Sequence, residues 1–497
     1  MKKILVALAI VVLLLVAVKL LTSDVTVNAP FSQFLYQYTG KVPEDAAVVG
    51  RMRVPDGLQL QVWATGLPGV RMLEMTPQGH LLASLPRQGR VVAITTGPQG
   101  QALSVRDLLT DLDRPHGLAL HGGYLYVAEG TRVVRAVMEE RADGIALSGM
   151  PETVVSGLPD GGNHWTRSIG FGPDDRLYIT AGSSCNVCEE SEPMRAAMMV
   201  ANADGSDFRV YASGLRNSVG FDWHPLTEVL YATDNGRDLL GDDFPPCELN
   251  RVVDGGFYGW PYANGANVPD PDFGAANADI IASARAPVFD FPAHTAPLGI
   301  TFLTSLQAPP GYRNAALVAL HGSWNRSKKS GYKVVSLHWP QDGRIQMRDF
   351  LTGFEVDEDV IGRPVDIAEG QDGSIYISDD FAGVIWRVSG APGDSGTLLN
   401  QPLAASAAKT AAVVFAPEQV ARGKALFASY GCGSCHLQQE ADQGVVVKPL
   451  LELAERYDQL ALVAFLSAPT PPMPQFPLSD TEREDLAAYL LSESTLQ

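Results

Sequence analysis

The sequence predicts an all-β six-bladed propeller over residues 50–390, followed by a small all-α domain over 417–497. Three observations lead there. A turn rich in Gly, Pro, Asp or Asn, followed by a short apolar β-favouring run, recurs six times at spacings of about 44 to 60 residues with one wider gap. The 48 Gly and 34 Pro in 497 residues demand many turns, which suits short strands. Beyond residue 417 the apolar spacing becomes helical and brackets Gly431-Cys432-Gly433-Ser434-Cys435-His436.

The chain opens with Lys2 and Lys3, then the apolar run Ile4–Val18, which Lys19 interrupts before Leu20 and Leu21. Residues 1–22 read as an export segment, either a cleaved signal peptide or a retained anchor helix. No small-x-small cleavage site follows, and the run approaches the ~20 residues a bilayer crossing needs. The anchor is therefore preferred, with the N-terminus inside and the body outside. The expected location is a bacterial periplasm, with association to the inner membrane through this segment.

Residues Thr22–Arg53 read as a loop. The six units then follow in order. Pro77-Gln78-Gly79 precedes His80–Ser84, Gly122-Gly123 precedes Tyr124–Ala128, and Pro173-Asp174-Asp175 precedes Leu177–Ala181. Pro225-Leu226 precedes Val229–Thr233, Arg313-Asn314 precedes Ala315–Leu320, and Gln371-Asp372-Gly373 precedes Ser374–Ser378. Further β runs stand at Arg132–Val137, Tyr332–Leu337 and Val384–Val388. Even recurrence favours a propeller over an array of sandwiches. The wider gap holds an insertion near Asp254–Ala286, rich in Gly, Asn, Asp and Pro.

Residues 391–416 are small and polar and form a linker. A helix begins at Glu418 and leads into the cysteine motif. Ser479-x-x-Glu482 is a capping box that opens a last helix ending near Ser492. Cys-x-x-Cys-His is the attachment pattern of haem c: Cys432 and Cys435 bond the porphyrin and His436 ligates the iron. A dithiol pair does not need the histidine, and no second cysteine pair stands nearby to complete a zinc site. Helix, motif, loop and terminal helix is the arrangement of a small cytochrome c. No His follows residue 436, and Met473, within Pro471-Pro472-Met473-Pro474, is the one Met after it, so Met473 is the expected sixth ligand. Such His/Met ligation raises the iron potential and makes the haem an electron acceptor.

A net charge of −19 supplies no basic stripe for phosphates, which argues against nucleic acid. No Gly-rich dinucleotide fingerprint is present. Of five cysteines, Cys185 and Cys188 are expected to pair locally in an oxidising compartment, and Cys247 is a buried small hydrophobe or a free thiol.

A propeller holds its ligand among loops that enter its axis. Polar candidates cluster in Gly161–Arg167, Gly214–Ser218, Asp234–Arg237 and Glu248–Asn250. Here residues 50–390 resemble the pyrroloquinoline quinone (PQQ) dependent soluble aldose and sorbosone dehydrogenases. The resemblance rests on Asn163-His164 before a Gly-Pro-Asp turn, Gly214-Leu215-Arg216-Asn217, Glu248-Leu249-Asn250 ahead of Gly259-Trp260-Pro261, Ala296-Pro297, and Arg363-Pro364-Val365-Asp366. Cys185-Asn186-Val187-Cys188 points to the sorbosone-type branch, and the tail resembles haem-fused members.

The resemblance implies a six-bladed propeller in which His164 is the general base and Arg216 stabilises the reducing quinone. It implies Asn217, Asn235 and Arg363 as further PQQ contacts, with the backbone oxygens of Gly236 and Arg237 on the cofactor's Ca²⁺. Glu248 and Tyr258 match a structural Ca²⁺ position in some members. Val365 stands where the family's glucose enzymes carry a second Arg. Their cofactor-contacting Lys has no clear match, and His321 and Arg326 are the candidates to replace it. His294 stands where a hydroxyl is usual.

The expected function is oxidation of a sugar or aldehyde by hydride transfer to PQQ. Electrons then pass to haem c and on to a cytochrome or oxidase. Two other classes remain open at this stage: a Ca²⁺-dependent lactonase-type hydrolase, and a ligand-binding propeller whose cytochrome is the only redox part.

Overall fold

Six sheets, each one blade, are built on four antiparallel strands, and the third and last blades carry a fifth, parallel strand at the edge. The computed structural model describes residues 41–390, apart from 142, 143, 310 and 341–343. It also describes 403–404, 415–436 and, with short gaps, 450–493. The export segment 1–22 and most of the linker 391–416 lie outside the described residues. Among the described residues no helix is long and apolar enough to cross a membrane.

Each run that marks a repeat is the second strand of its blade, within a residue of its expected position: Leu81–Leu85, Tyr124–Ala128, Leu177–Ala181, Leu230–Asp234, Ala316–Leu320 and Ile375–Asp379. The reason is burial. Leu177–Ala181, Ala316–Leu320 and Ile375–Asp379 are buried at every position, so neighbouring blades cover both faces. Such strands read as continuous apolar runs bounded by turns. The first strands of the first four blades have only three or four residues and outer strands such as Ala102–Leu109 alternate into solvent, so they leave a weaker trace.

Blades pack face to face. Leu249 and Phe291 of the fourth blade share a core with Ile300, Val318 and Val335 of the fifth. Burying each such side chain is worth about 1.5–3 kcal/mol. Polar ties cross the same seams: Thr233 Oγ1 donates to Leu298 O at 2.7 Å and Ser378 Oγ to Arg71 O at 2.6 Å.

Two elements differ from expectation. The segment read as a loop contains the helix Asp45–Arg51. The strand Leu58–Thr65, unmarked by a repeat, pairs antiparallel with Val384–Gly390 and becomes the outer strand of the last blade. Pairing N-terminal with C-terminal strands closes the ring and leaves no open seam. The insertion interrupts the fourth blade between its third and fourth strands. It is structured: Gly256–Phe257 joins the edge of the third blade, and a hairpin and the helix Ala278–Ser283 follow.

The described residues fall into two compact units divided at 406/407. In the second, the helices Pro417–Ser429 and Asp480–Glu493 cross at Gly423. A Cβ there would stand 2.0 Å from Asp485 O, so only glycine admits this approach. Arg422 clamps the crossing with two bonds to Asp485, at 2.6 and 2.9 Å. The expected capping box forms, with Ser479 N–H donating to Glu482 Oε2 at 2.8 Å.

Candidate active site

Within a blade the first two strands run antiparallel, so the chain entering the first strand lies beside the chain leaving the second. This places the segments before Ile169, Phe221 and Pro364 on the same end of the ring as those after Ala181, Asp234, Leu320 and Asp379. His164, Ser183, Arg216, Asn235, His321, Arg363 and Asp380 all belong to these segments.

His164 Nδ1 lies 2.9 Å from Ser183 O and 2.8 Å from Ser183 Oγ. The Ser183 hydroxyl gives its own proton to Cys185 O at 2.8 Å. Both Ser183 oxygens therefore act as acceptors toward the ring, which fixes the proton on Nδ1 and leaves the lone pair on Nε2. Burial, then the Arg216 charge, pushes this imidazole down to about 3. It is neutral at ordinary pH, as a base must be.

Arg216 is buried, and acceptors surround its guanidinium. Nε donates to Asn186 O at 2.9 Å, and Nη2 to Asn186 Oδ1 at 2.8 Å and Asp238 Oδ2 at 3.1 Å. Nη1 donates to Asn235 O at 3.0 Å and Gly236 O at 2.8 Å. Asn217 Oδ1 and Asn235 Oδ1 are buried without a hydrogen-bond partner. Buried acceptors are rarely left so, which makes these oxygens candidates for a bound group.

Below them Asp234 and Glu248 face each other across neighbouring strands. Burial, opposed by several hydrogen bonds, raises Asp234 to about 7. Burial and the Asp234 charge raise Glu248 to about 8. Asn250 Oδ1 beside them is also unpartnered. A small cavity of about 10 Å³, room for one water-sized occupant, is lined by Arg216, Asp234, Asn235, Gly236, Glu248 and Asn264. Two carboxylates and orphan amide oxygens around such a space are a donor set for a hard cation such as Ca²⁺. Tyr258 borders the same cavity, but its hydroxyl already donates to Arg251 O at 2.6 Å and accepts from Val253 N–H at 3.0 Å. That removes the hydroxyl from the expected ligand set. The Arg237 side chain turns away and pairs with Asp270 at 2.7 Å, fastening the insertion.

His294 and Arg326 are both tied to the 241–244 loop. His294 Nε2 lies 2.8 Å from Gly241 O and 3.1 Å from Phe244 O. Arg326 donates to Asp242 O, to Ala293 O and to Asp243 Oδ1. His294 Nδ1 and Arg326 Nε are buried without a hydrogen-bond partner, so each keeps one polar atom for a bound group.

Arg363 instead belongs to a buried chain that sequence reading missed. Its Nη2 donates to His321 Nδ1 at 2.7 Å. The His321 proton is thus on Nε2, which donates to Asp380 Oδ1 at 3.0 Å, and Asp380 Oδ2 accepts from Arg71 at 2.9 Å. Burial alone would raise Asp380, but His321, Arg71 and Arg363 together hold it below the carboxylate range. Burial and Arg363 press His321 down to about 4. Two guanidiniums, Arg71 bonded to Asp380 and Arg363 reaching it only through His321, stand beside one carboxylate, so an anionic ligand is electrostatically welcome. The sequence signal was the acid pair Asp379-Asp380 ending a buried strand.

In the second unit, Cys432 and Met473 both border the core formed by Phe427, Leu453, Leu462, Leu466, Leu478 and Leu486. The attachment motif and the expected sixth ligand therefore flank one apolar shell, as a haem sandwiched between them requires.

Fold and site together define a six-bladed propeller with a cation-rich polar face, joined to a cytochrome c domain. The chain belongs to the TrAA12-like family, a PQQ-dependent sugar dehydrogenase-like propeller, over residues 52–245 and 274–391. The cytochrome c family matches residues 420–494. The break in the first match, residues 246–273, takes in the strand Cys247–Arg251 and the first part of the insertion. A PQQ-dependent pyranose dehydrogenase of Coprinopsis cinerea is 26% identical over 417 residues, covering 68% of this chain and 55% of that protein. An uncharacterized Borreliella burgdorferi protein is 39% identical over 223 residues, covering 43% of this chain and 57% of its own. The chain thus spans a little over half the length of these relatives. Among solved structures, the holo PQQ domain of the Coprinopsis cinerea pyranose dehydrogenase superposes with a TM-score of 0.58 at 22% identity, covering 68% of this chain and 97% of that one. A calcium structure of a Trichoderma reesei family AA12 enzyme gives 0.58 at 21%, covering 69% and 97%. Likeness at this identity speaks for the fold.

Proposed function

We propose that this chain is an exported quinohaemoprotein dehydrogenase that oxidises a sugar or related hemiacetal. Its propeller would hold PQQ and Ca²⁺, and its cytochrome domain would carry haem c. The observation that carries the reading is the junction at Gly182, where a Cβ would lie 2.6 Å from both His164 Cβ and Asn217 Oδ1. The close packing at Gly182 sets His164, whose Nε2 lone pair is free, beside an orphan amide oxygen and a buried guanidinium.

Bound there, PQQ would supply the electrophilic quinone carbon that takes hydride from the sugar C1. His164 Nε2 takes the C1 hydroxyl proton, while the Nδ1–H bond to Ser183 keeps the ring in that tautomer. The Arg216 guanidinium, its five N–H groups held by protein acceptors, would stabilise through its fixed charge the negative charge that develops on the reduced quinone. Arg363 and Arg71 offer cations to the cofactor carboxylates. Asp234, Glu248, Asn235 and the Gly236 carbonyl are the oxygens that would hold Ca²⁺.

Cys432, Cys435, His436 and Met473 would hold a haem c, which would supply one-electron transfer toward a downstream cytochrome or oxidase. Periplasmic location, and anchoring through residues 1–22, belong to this proposal, since covalent haem and the Lys2–Leu21 run both suit an exported protein.

The test is to reconstitute purified protein with PQQ and Ca²⁺ and follow the haem absorption while adding aldoses and aldehydes. Reduction of the haem by a sugar is expected. If no sugar, aldehyde or alcohol reduces it, the reading is wrong. A hydrolase would open a lactone and leave the haem oxidised.

A further inference from the structure

The segment that leaves the second strand of the third blade is closed by a disulfide between Cys185 and Cys188. Cys185, Cys188 and Glu190 stand close enough to share an ion, but the disulfide consumes both thiolates. The segment has other work. Ser183, at its start, holds the His164 ring through its carbonyl and its hydroxyl. Asn186, inside the disulfide loop, takes two of the five bonds of the Arg216 guanidinium.

The Asn186 contacts are reciprocal. Its Oδ1 also accepts the Asp238 N–H at 2.8 Å, and its Nδ2 donates to Asp238 O at 3.1 Å. Asp238 Oδ2 in turn accepts from Arg216 Nη2. Asn186 thus welds the disulfide loop to the 234–238 segment, with the guanidinium held between them. The other side of the loop is fixed as firmly. Ser184 N–H and Oγ donate to Glu190 at 2.6 and 2.9 Å, and Ser184 O accepts from Asn163 N–H at 2.9 Å. Gly162, at φ +81°, packs so close that a Cβ would be 2.6 Å from Ser184 Cα. The loop bearing His164 and the disulfide loop are therefore in backbone contact.

We propose that residues 183–190 form one brace that sets the spacing of His164 and Arg216, and that Asn186 is the positioning residue for Arg216. This rests on the reading of that pair as base and charge stabiliser. The need for a brace is physical. A free arginine side chain carries about 2 kcal/mol of rotamer entropy, and a displacement of about 1 Å at a reacting centre costs about a hundredfold in rate. An amide at 186 meets both demands, because Oδ1 accepts from the guanidinium while Nδ2 donates across to Asp238. Alanine would keep the Nε bond to the 186 carbonyl and lose the rest.

The test compares full-length holoprotein with N186A and N186D, which retains an acceptor for Nη2 and for the Asp238 N–H. Three readouts are taken: thermal midpoint, steady-state haem reduction with C1-protio and C1-deuterio aldose, and crystal structures without cofactor. In N186A the guanidinium is expected to leave Gly236 O, and kcat to fall about a hundredfold, as for a misplaced group, with KM nearly unchanged. The isotope effect should grow, and the protein should stay folded with a lowered thermal midpoint, since three side-chain hydrogen bonds are lost. N186D should restore the guanidinium position and most of kcat. The brace is refuted if Arg216 keeps its place in N186A, or if both variants lose kcat equally together with stability. If wild-type protein oxidises no sugar, the proposed function falls, and the Arg216 position in the two crystal structures alone decides the brace.

Discussion

Asp234 and Glu248 are cross-strand partners in the fourth blade, and both carboxyls are raised by burial. Two facing carboxylates withdrawn from water repel each other unless a cation joins them. Added Ca²⁺ is therefore expected to stabilise the propeller, by about 2.7 kcal/mol when free ion reaches a hundred times its dissociation constant. Calorimetry with and without EDTA checks this. D234N/E248Q should abolish the calcium-induced rise in thermal midpoint. A rise that persists in the double variant would place the ion elsewhere.

The His164 ring gives a pH prediction. Its folded pKa is depressed to about 3, by burial and by Arg216. The unfolded chain takes a proton near 6.5 and the folded one does not, so this residue's share of stability is present above 6.5 and is lost as pH falls toward 3. The wild-type thermal midpoint should drop more between pH 7.5 and 4.5 than that of H164Q. Activity has its own signature: kcat/KM should show no acid limb near 6.5. A limb centred there would mean the ring is solvated like a free imidazole.

Gly182 is the position most sensitive to added volume. A methyl group there meets His164 Cβ and Asn217 Oδ1, each at 2.6 Å, and something must move. Overpacking of this kind costs about 1–3 kcal/mol. G182A should fold, keep its haem and lose turnover, because the displaced groups are the base and a cofactor contact. Haem reduction assays beside thermal denaturation separate the two effects. Full turnover in G182A would show that the convergence at Gly182 is not the active centre.

The parts of this chain that could be read in advance were those where one residue type serves one local purpose. Fully buried second strands announced six blades, and Cys432 to His436 announced a haem, because both patterns are complete within a few residues. The closing strand Leu58–Thr65 was invisible, since its partner lies more than three hundred residues away and only tertiary pairing defines it. The bonds of His294 and Arg326 to loop 241–244 were hidden for the same reason, since only the tertiary fold brings that loop to them. Arg71 and Asp380, by contrast, join a site through contacts that no local motif could announce.

Met473 borders the same apolar core as Cys432, and the proline that follows it, Pro474, has its φ fixed by its ring. A thioether held in that way is ready to ligate iron, and thioether ligation raises the haem potential relative to water or imidazole. M473A should therefore lower the midpoint potential, and M473H should lower it while restoring a six-coordinate spectrum. Redox titration of the full chain measures both. The consequence reaches the propeller. A lower potential reduces the driving force for electrons leaving the quinol, so M473A should slow haem reduction by sugar without changing PQQ affinity. An unchanged potential in M473A would assign the sixth position to another group.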